Sequence, residues 1–306
     1  MYKKMYKICK CCDHQTKKIF SDKFLEIYEC INCRSLMINH LLIKRKDIDK
    51  DYYSNKFYNQ SSLEKSLIST RKRQSLKALE MISKFTQKDS ELIDFGFGRG
   101  AFLKEAYKFG YQKLIGIESS QKALDNQEKF FKKIQVKFEK NKLIFSKNIM
   151  NENKADKRIF VANDVIGVFN ISSLNIWLKD IVNNFSNPKY LIIKTPNRDG
   201  LLFNLAYFLA KFKITGKFLH QLLQVGIYPP HYFYFSKKGL INLFSKLNYK
   251  NIYEYNDLEY EVSSFGSRLN AKGIQKVIFN IFIPFFALIT KLSNSYDSKI
   301  ILFRYT

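Results

Sequence analysis

The stretch ELIDFGFGRGAFL, residues 91–103, decides the fold of this chain. A short apolar run ends in Asp94, and three glycines follow at alternate positions: Gly96, Gly98 and Gly100. Glycine adopts positive φ angles and has no side chain, so another group can come very close to the backbone of such a turn. The pattern therefore predicts either a bound ligand or the close packing of a neighbouring helix.

Segments typical of strands and helices alternate around this turn. ELIDFG and KLIGIE are strand-like, and each precedes a segment with helical spacing, GAFLKEAYKFG and SSQKALDNQEKFFKKI. A further helix is predicted over residues 63–85. Later on we predict strands in KLIFS, DVIGVF and KYLIIKTPN, helices in SLNIWLKDIVNNF and FSKKGLINLFSKLNY, and a final edge strand in YDSKIILFRYT. This alternation predicts an α/β fold with a Rossmann-like, doubly wound, mostly parallel sheet.

The charge of the chain points to anionic partners. Its 306 residues carry a formal net charge of +25, from 52 Lys and Arg against 27 Asp and Glu. A charge of this size attracts nucleic acid, anionic membranes or phosphorylated substrates. The lysines are scattered along the chain, however, so a general bias of composition explains the charge equally well. Hydrophobic residues make up 46%, which provides for a core and excludes wholesale disorder.

All five cysteines lie within the first 33 residues. Four of them form two CxxC pairs separated by 17 residues: Cys9 with Cys12, and Cys30 with Cys33. Such pairs are typical of a zinc ribbon, in which four thiolates hold one tetrahedral Zn²⁺ with no open position. The alternatives are a disulfide pair or free thiols, and Cys11 is left over, with His14 as a substitute ligand. We predict a structural zinc site, and the main domain has no thiol nucleophile of its own.

Apolar segments give no membrane span. No secretory signal is visible, because no apolar stretch follows the charged N-terminus. The most membrane-like segment, VIFNIFIPFFALIT at residues 277–290, has 14 residues, whereas a spanning helix needs about 20. We therefore expect a cytoplasmic protein without a transmembrane segment. Residues 201–210 and 277–290 suit peripheral contact with a lipid, although buried helices are the preferred interpretation.

Two details favour S-adenosylmethionine at the glycine turn over a nicotinamide dinucleotide, whose GxGxxA pattern GFGRGA also fits. Asp94 lies two residues before the first glycine, where dehydrogenases usually have an apolar residue. The next predicted strand ends in Glu118, 18 residues after Gly100. A carboxylate at that point can accept hydrogen bonds from both hydroxyls of a ribose.

On these residues the chain resembles the class I S-adenosylmethionine-dependent methyltransferases, with LIDFGFGRGAFL similar to their first motif and LIGIESS to their second. More narrowly, it resembles bacterial methyltransferases found with surface-polysaccharide and nucleotide-sugar genes. In these a CxxC…CxxC element and a YY segment precede the core, and a strand ending in TPN and a later HxxxFS follow, here at residues 195–197 and 231–236. The resemblance implies three parts: a zinc-ribbon-like element at 1–45, a linker or lid with a helix at 46–88, and a Rossmann-like methyltransferase domain at 89–306.

The resemblance also implies where the methyl donor binds. The methionine part of S-adenosylmethionine is expected in the turn of Gly96, Gly98 and Gly100, which Asp94 shapes, and the ribose is expected at Glu118. Ordinary helix–strand packing of the glycines and a plain strand-end charge are the alternatives for these residues.

On the acceptor side, His231 is the candidate general base, and a packed or exposed loop histidine is the alternative. Three tyrosines are expected to close over the acceptor as a lid, or else to pack: Tyr52, Tyr53 and Tyr58. The chain departs from the family at one place. The His or Glu-His pair expected after the fourth strand is missing from DVIGVFNISS, where Asn170 lies.

The acceptor implied by the resemblance is a sugar, nucleotide-linked or lipid-linked, in surface-glycan biosynthesis. Base-amine methylation commonly uses an Asn/Asp-Pro-Pro-aromatic motif after the fourth strand, where this chain has NDVIGVF. Methylation of pyrimidine C5 needs a cysteine nucleophile, which the main domain lacks. An RNA methyltransferase with the ribbon as docking module is the alternative, followed by a non-catalytic binding protein on the same fold.

Overall fold

The computed structural model describes residues 6–42, 61–125, 137–140, 157–183, 185–226, 229–259 and 274–306. Two sheets organise these residues: a seven-stranded sheet in the main body and a four-stranded sheet built around the N-terminal cysteines. The predicted strand KLIFS, the three tyrosines of the predicted lid and most of the linker lie outside the described residues.

The seven strands of the large sheet follow the order β10-β11-β8-β7-β4-β5-β6. Their bounds are β4 Glu91–Phe95, β5 Lys113–Glu118, β6 Lys137–Lys140, β7 Arg158–Asn163, β8 Tyr190–Pro196, β10 Tyr249–Asp257 and β11 Ser298–Tyr305. Strand β11 runs antiparallel to both of its neighbours, whereas the pairs from β8 through β6 are parallel. The predicted Rossmann-like, mostly parallel sheet is therefore confirmed.

Eight helices accompany the strands in the described residues. They are α1 Ser61–Ser83, α2 Ala101–Lys108, α3 Gln121–Asp125, α4 Ile171–Asn183, α5 Leu201–Lys211, α6 Lys217–Leu222, α7 Lys237–Ser245 and α8 Ile274–Leu292. Side chains alternate between the two faces of the sheet, as strand geometry requires. Leu92 packs with α1 and α2 on one face, and Ile93 and Phe95 pack with α4 and α7 on the other. The sheet is thus covered on both faces.

The smaller sheet has the order β1-β2-β3-β9, with β1 Thr16–Ser21, β2 Leu25–Cys30, β3 Leu36–His40 and β9 Phe233–Tyr234. Its fourth strand comes from the HYFYFS segment, about 200 residues later in the chain. Leu36 pairs with Tyr234, and Met37 pairs with Phe233. The N-terminal element therefore does not form its sheet alone.

Polar contacts also join the N-terminal element to later parts of the chain. The Ser236 hydroxyl donates to the Cys33 carbonyl, and the Arg198 guanidinium donates to Glu29 at 2.8 Å. Three of the paired cysteines, Cys9, Cys30 and Cys33, belong to the same buried cluster as the apolar residues of β4 and β7, and partly buried Cys12 packs against it. The small sheet is therefore packed onto the large sheet as part of one core.

Two strand predictions were wrong in detail. The fourth strand is formed by residues 158–163, RIFVAN, and the predicted strand DVIGVF is the loop after it, with a short 3₁₀ turn at Ile166–Val168. Asp164 opens that loop with a φ of 59°, which interrupts an extended backbone. The last strand, β11, is not at an edge, because β10 covers its outer side.

The apolar segments at 201–210 and 277–290 form helices, but not buried ones. Each helix buries one stripe, while Phe208, Phe285 and Leu288 are among the large apolar side chains that it leaves exposed. No helix in the described ranges combines the length and the hydropathy that crossing a bilayer requires.

Candidate functional site

The glycine turn lies where the strand order of the large sheet reverses. It joins the carboxyl end of β4 to the start of α2, and β4 is flanked by β5 on one side and β7 on the other. In open α/β sheets, ligands bind outside the carboxyl ends of the strands at this reversal. The fold therefore puts the three glycines at its usual ligand position.

All three glycines of the turn have positive φ angles. The values are 72° at Gly96, 57° at Gly98 and 71° at Gly100, a region that other residues rarely adopt. A Cβ added at Gly96 would lie 2.5 Å from Cγ2 of Val165, in the loop that follows β7. Both the conformation and the close approach of that loop therefore require glycine at this position.

The Glu118 carboxylate ties the end of β5 to the glycine turn. One oxygen accepts a hydrogen bond from the Gly98 N–H at 3.0 Å. The other accepts from the backbone N–H groups of Ser119 and Ser120, at 2.7 and 3.0 Å, and from the Ser119 hydroxyl at 3.1 Å. Glu118 is buried, and its bond to the Gly98 N–H holds its carboxyl group directly beside the turn.

A second buried carboxyl group, that of Asp94, lies just before the turn. Burial, with the Glu118 charge as the smaller cause, raises its pKa to about 8. At neutral pH Asp94 therefore holds a proton. A cation brought to this place favours the ionised form of Asp94 and is stabilised by it.

His231 lies close to the same edge of the sheet. A Cβ added at Gly167, in the loop after β7, would lie 2.9 Å from the Nδ1 of His231. The Tyr232 N–H donates to the Gly167 carbonyl at 2.7 Å. Since Val165 of the same loop lies against Gly96, one short loop connects the glycine turn with His231.

The environment of His231 disfavours its protonated form. The side chain is buried, and desolvation, helped by the charges of His40 and Lys194, lowers its pKa to about 4. Its Nδ1 has no hydrogen-bond partner among the described residues. His231 is therefore a neutral imidazole at pH 7 and a weak base, closer to the packed histidine that was the alternative expectation.

Three charged residues that the motifs did not single out meet at the carboxyl ends of β7, β8 and β10. The Lys194 ammonium is buried and donates to both oxygens of Asp164, at 2.8 and 2.6 Å, and to Glu259. The carboxylates keep the pKa of Lys194 raised although burial opposes its charge. Desolvation is the main reason why the pKa of Asp164 is raised as well, although 36% of its side-chain surface is exposed.

A sequence signal for this trio exists only at Lys194. It interrupts the apolar run YLII within a strand, and a buried charge needs partners of opposite sign. Those partners lie 30 positions before it and 65 positions after it, at Asp164 and Glu259. Only the fold brings the three together.

Two residues of the segments compared with the family make contacts that stabilise the fold. Asn170 accepts a hydrogen bond from the Ser173 N–H at 2.9 Å and so begins α4 as an N-cap, in the place where the family's His pair was expected. Asn197 of the TPN segment is buried and donates to the Tyr296 carbonyl at 2.7 Å. That contact fastens the end of β8 to the loop before β11.

The paired cysteines converge as the spacing predicts. Their four sulfur atoms all lie within 4.8 Å of one another: those of Cys9, Cys12, Cys30 and Cys33. Tetrahedral zinc with Zn–S bonds of about 2.3 Å separates its sulfurs by about 3.8 Å, which fits this cluster. The N–H groups of Cys11 and Cys33 donate to the sulfurs of Cys9 and Cys30, both at 3.4 Å. Such bonds stabilise thiolates, so the donor set suits a metal ion.

The remaining two N-terminal candidates stand apart from this cluster. The His14 ring lies 2.7 Å from the Cys12 carbonyl and is exposed, so it does not replace a cysteine. Cys11 is buried beside the cluster without belonging to the four. None of the five cysteines forms a disulfide.

Comparisons with known proteins agree with this geometry. A family model described as a methyltransferase domain matches residues 67–254, more than half of the chain. None of the curated proteins compared matches the sequence.

Several solved structures share the fold at low identity. The chain is similar to an S-adenosylmethionine-dependent methyltransferase from Anabaena variabilis, with 12% identity, a TM-score of 0.52 and coverage of 86% of this chain and 98% of that one. It is similar to another from Archaeoglobus fulgidus, with 15% identity, a TM-score of 0.51 and coverage of 83% and 100%. A magnesium protoporphyrin IX methyltransferase from Synechocystis, with bound S-adenosylhomocysteine, has 9% identity, a TM-score of 0.51 and coverage of 82% and 92%.

At these identities the structural likeness shows the fold, and the family match adds the activity. The chain belongs to the methyltransferase-domain family and is therefore a methyltransferase.

Proposed function

We propose that this methyltransferase acts on a hydroxyl of a small-molecule acceptor, namely a nucleotide-linked or lipid-linked sugar used in surface-glycan biosynthesis. One observation carries the proposal. The glycine turn and the charged trio of Asp164, Lys194 and Glu259 lie at the carboxyl ends of neighbouring strands, where a donor and an acceptor can meet. The choice of a sugar rests on the resemblance to surface-polysaccharide methyltransferases.

In this proposal the turn and the two carboxyls beside it hold the methyl donor. S-adenosylmethionine, when bound, supplies an activated methyl group. The backbone of Gly96, Gly98 and Gly100 receives its methionine part, and Asp94 stabilises its cationic groups. Glu118 accepts hydrogen bonds from its ribose, for which one present donor has to leave, and the Ser119 hydroxyl is the one that can rotate away.

Asp164 is the proposed proton acceptor. A hydroxyl that receives a methyl group must release its proton, and a positioned carboxylate contributes about 10²- to 10⁴-fold to such a step. Because burial raises its pKa, Asp164 is a stronger base than an ordinary Asp. After it takes the proton, Lys194 remains paired with Glu259, so no buried cation is left without a partner.

His231, the candidate from the sequence, has a different role in this proposal. With a pKa of about 4 it is a weak base, and it packs against the loop that carries Asp164 and Val165. We therefore assign it to positioning that loop. The four clustered cysteines hold a structural Zn²⁺, remote from proton transfer.

The test is an acceptor screen that measures S-adenosylhomocysteine formed with sugar phosphates, nucleotide sugars, polyprenyl-linked sugars and RNA oligonucleotides. For the acceptor that reacts, Asp164→Asn is compared with His231→Asn and with Asp89→Asn, an exposed carboxylate paired with Lys157. We expect Asp164→Asn to lower kcat by about 100-fold or more. Asp89→Asn should leave kcat unchanged.

The pH profile separates the two candidate bases. If Asp164 is the base, the pKa that governs the acid limb of the kcat/KM profile lies above the ordinary range of an Asp carboxyl. This limb should disappear in Asp164→Asn. An acid limb near pH 4 that disappears only in His231→Asn would assign the role to His231. Reaction with RNA and with none of the sugars would contradict the proposed acceptor.

A further inference from the structure

Helix α5 presents an apolar face to solvent. Its buried stripe is formed by Phe203, Ala206 and Ala210, which pack against the small sheet. The opposite side carries exposed Leu205 and Phe208, and Phe212 continues it one residue after the helix. The usual surface helix has polar residues on this side. Exposed Ile214 follows, so the chain leaves a continuous run of large apolar groups in water.

Helix α8 likewise has one buried side and one exposed apolar side. Ile283 and Ala287 are buried, whereas five large apolar side chains on the other side are exposed: Phe282, Phe285, Leu288, Ile289 and Leu292. The exposed fraction reaches 60% at Phe285 and 79% at Leu292. Monomeric proteins rarely expose contiguous apolar surface of this kind without a partner.

The two helices adjoin each other. Leu202 of α5 packs against the cluster that contains Ile283 and Ala287 of α8. The first residues of α5 are also bonded to the segment after α8, since the Leu201 N–H donates to the Ser295 carbonyl at 2.8 Å. The two apolar faces, which we call the α5–α8 surface, therefore belong to one region of the molecule.

The two segments that form this surface are basic. Neither residues 200–225 nor residues 274–296 contain an Asp or a Glu. Exposed lysines accompany the apolar groups at Lys211, Lys213, Lys217 and Lys291. An anionic lipid surface attracts such lysines, while the apolar groups enter the boundary between headgroups and acyl chains.

The α5–α8 surface is also on the acceptor side of the sheet. Helix α5 begins five residues after the end of β8, the strand that carries Lys194, and the loop after α8 leads directly into β11 at the same edge. The Asn197 N–H donates to the Asp297 carbonyl at 2.8 Å, which holds these two connections together. A bilayer on this surface would lie next to the carboxyl edge where the acceptor is expected.

We propose that the α5–α8 surface docks on an anionic lipid bilayer, and that the acceptor is a lipid-linked molecule presented from it. The second half of this statement rests on the proposed function, whereas the docking does not. The charge of the chain favours a bilayer over a second copy of the chain as the partner of this surface. Pairing two copies would bring equal basic faces and two net charges of +25 together, whereas an anionic bilayer is complementary.

The docking test is flotation of the zinc-loaded chain with vesicles of phosphatidylcholine, with and without phosphatidylglycerol. The variants are Phe208→Ser with Phe212→Ser, Phe285→Ser with Leu292→Ser, and Lys211→Glu with Lys213→Glu. The matched control is Ile176→Ser, an exposed apolar side chain on α4, away from this surface. Every variant is also titrated with S-adenosylmethionine.

We expect the parent to float with the anionic vesicles and to bind neutral ones more weakly. Each double variant should lower the partition coefficient by about tenfold or more and leave donor binding unchanged, and the control should match the parent. No flotation of the parent, or equal flotation of parent and variants, would overturn the proposal. A parent dimer that the apolar variants convert to monomer would assign the surface to a second copy. If the parent floats with the vesicles but does not bind S-adenosylmethionine, the proposed function alone is contradicted.

Discussion

Asp94 shows how burial makes a single carboxyl sensitive to pH. Its pKa is about 8 in the folded chain, mainly because of burial, and about 4 in an unfolded one. Between these values the folded state holds a proton that the unfolded state has released. The free energy of unfolding therefore falls as pH rises through this window, by up to about 1.4 kcal/mol for each pH unit.

Replacing Asp94 by Asn removes this dependence. We expect the free energy of unfolding of Asp94→Asn, relative to the parent, to improve steadily from pH 5 to pH 8, measured by urea unfolding. The control is Asp89→Asn, because the pKa of exposed Asp89 is lowered by Lys157 and so does not titrate in this range. A difference between Asp94→Asn and the parent that stays constant with pH would contradict the assigned protonation.

At the same scale, some residues of the candidate site could be predicted from the sequence and some could not. Asp94, the glycines and Glu118 belong to local motifs, so their proximity follows from two adjacent strands, and the structure brings them together. The trio of Asp164, Lys194 and Glu259 comes from three distant segments. Pairing a buried lysine with its carboxylates requires the strand order, which no local pattern contains.

At the scale of elements, the cysteine cluster gives a prediction with an internal control. Cys30→Ser removes one of the four converging thiols, whereas Cys11→Ser changes a neighbouring buried thiol outside the four. We expect one zinc per chain in the parent and in Cys11→Ser, and loss of zinc in Cys30→Ser, measured by elemental analysis. Loss of zinc in Cys11→Ser with retention in Cys30→Ser would contradict the ligand set.

Strands were predicted well where glycine or charge marks their ends. β4 and β5 are short apolar runs that end at a glycine turn or a carboxylate, and both were placed correctly. The segments RIFVAN and DVIGVF are equally apolar, so hydropathy alone did not show that the chain turns at Asp164. The edge strand β10 was missed because YKNIYEYND is polar and aromatic, as befits a strand exposed on one side.

On the scale of the whole molecule, the small sheet and the large sheet share contacts that a division of the chain into consecutive parts would not suggest. Strand β9 completes the small sheet, and Arg198 is buried with its guanidinium on Glu29. These contacts predict that the two sheets unfold together. Trp177, the single tryptophan, is buried in the core of the large sheet and reports on it by fluorescence, while release of the zinc expected at the cysteines would report on the small sheet.

We expect the two signals to change at the same denaturant concentration. Glu29→Ala should lower both midpoints together and reduce the free energy of unfolding by about 1 to 3 kcal/mol, because it removes the carboxylate that pairs with buried Arg198. Glu80→Ala, which breaks an exposed ion pair with Lys77, is the control and should shift neither. Zinc release that precedes the fluorescence change would show that the small sheet unfolds independently.

The donor site at the glycine turn is the central claim, and calorimetric titration with S-adenosylmethionine tests it most directly. The comparison is between the zinc-loaded parent, Glu118→Ala and Glu118→Gln. We expect the parent to bind, and Glu118→Ala to bind about 10- to 100-fold more weakly, because a charged acceptor for ribose hydroxyls is lost. Glu118→Gln should fall between them. Binding that is equal in all three folded proteins, or absent from the parent, would contradict the assignment of this turn to the methyl donor.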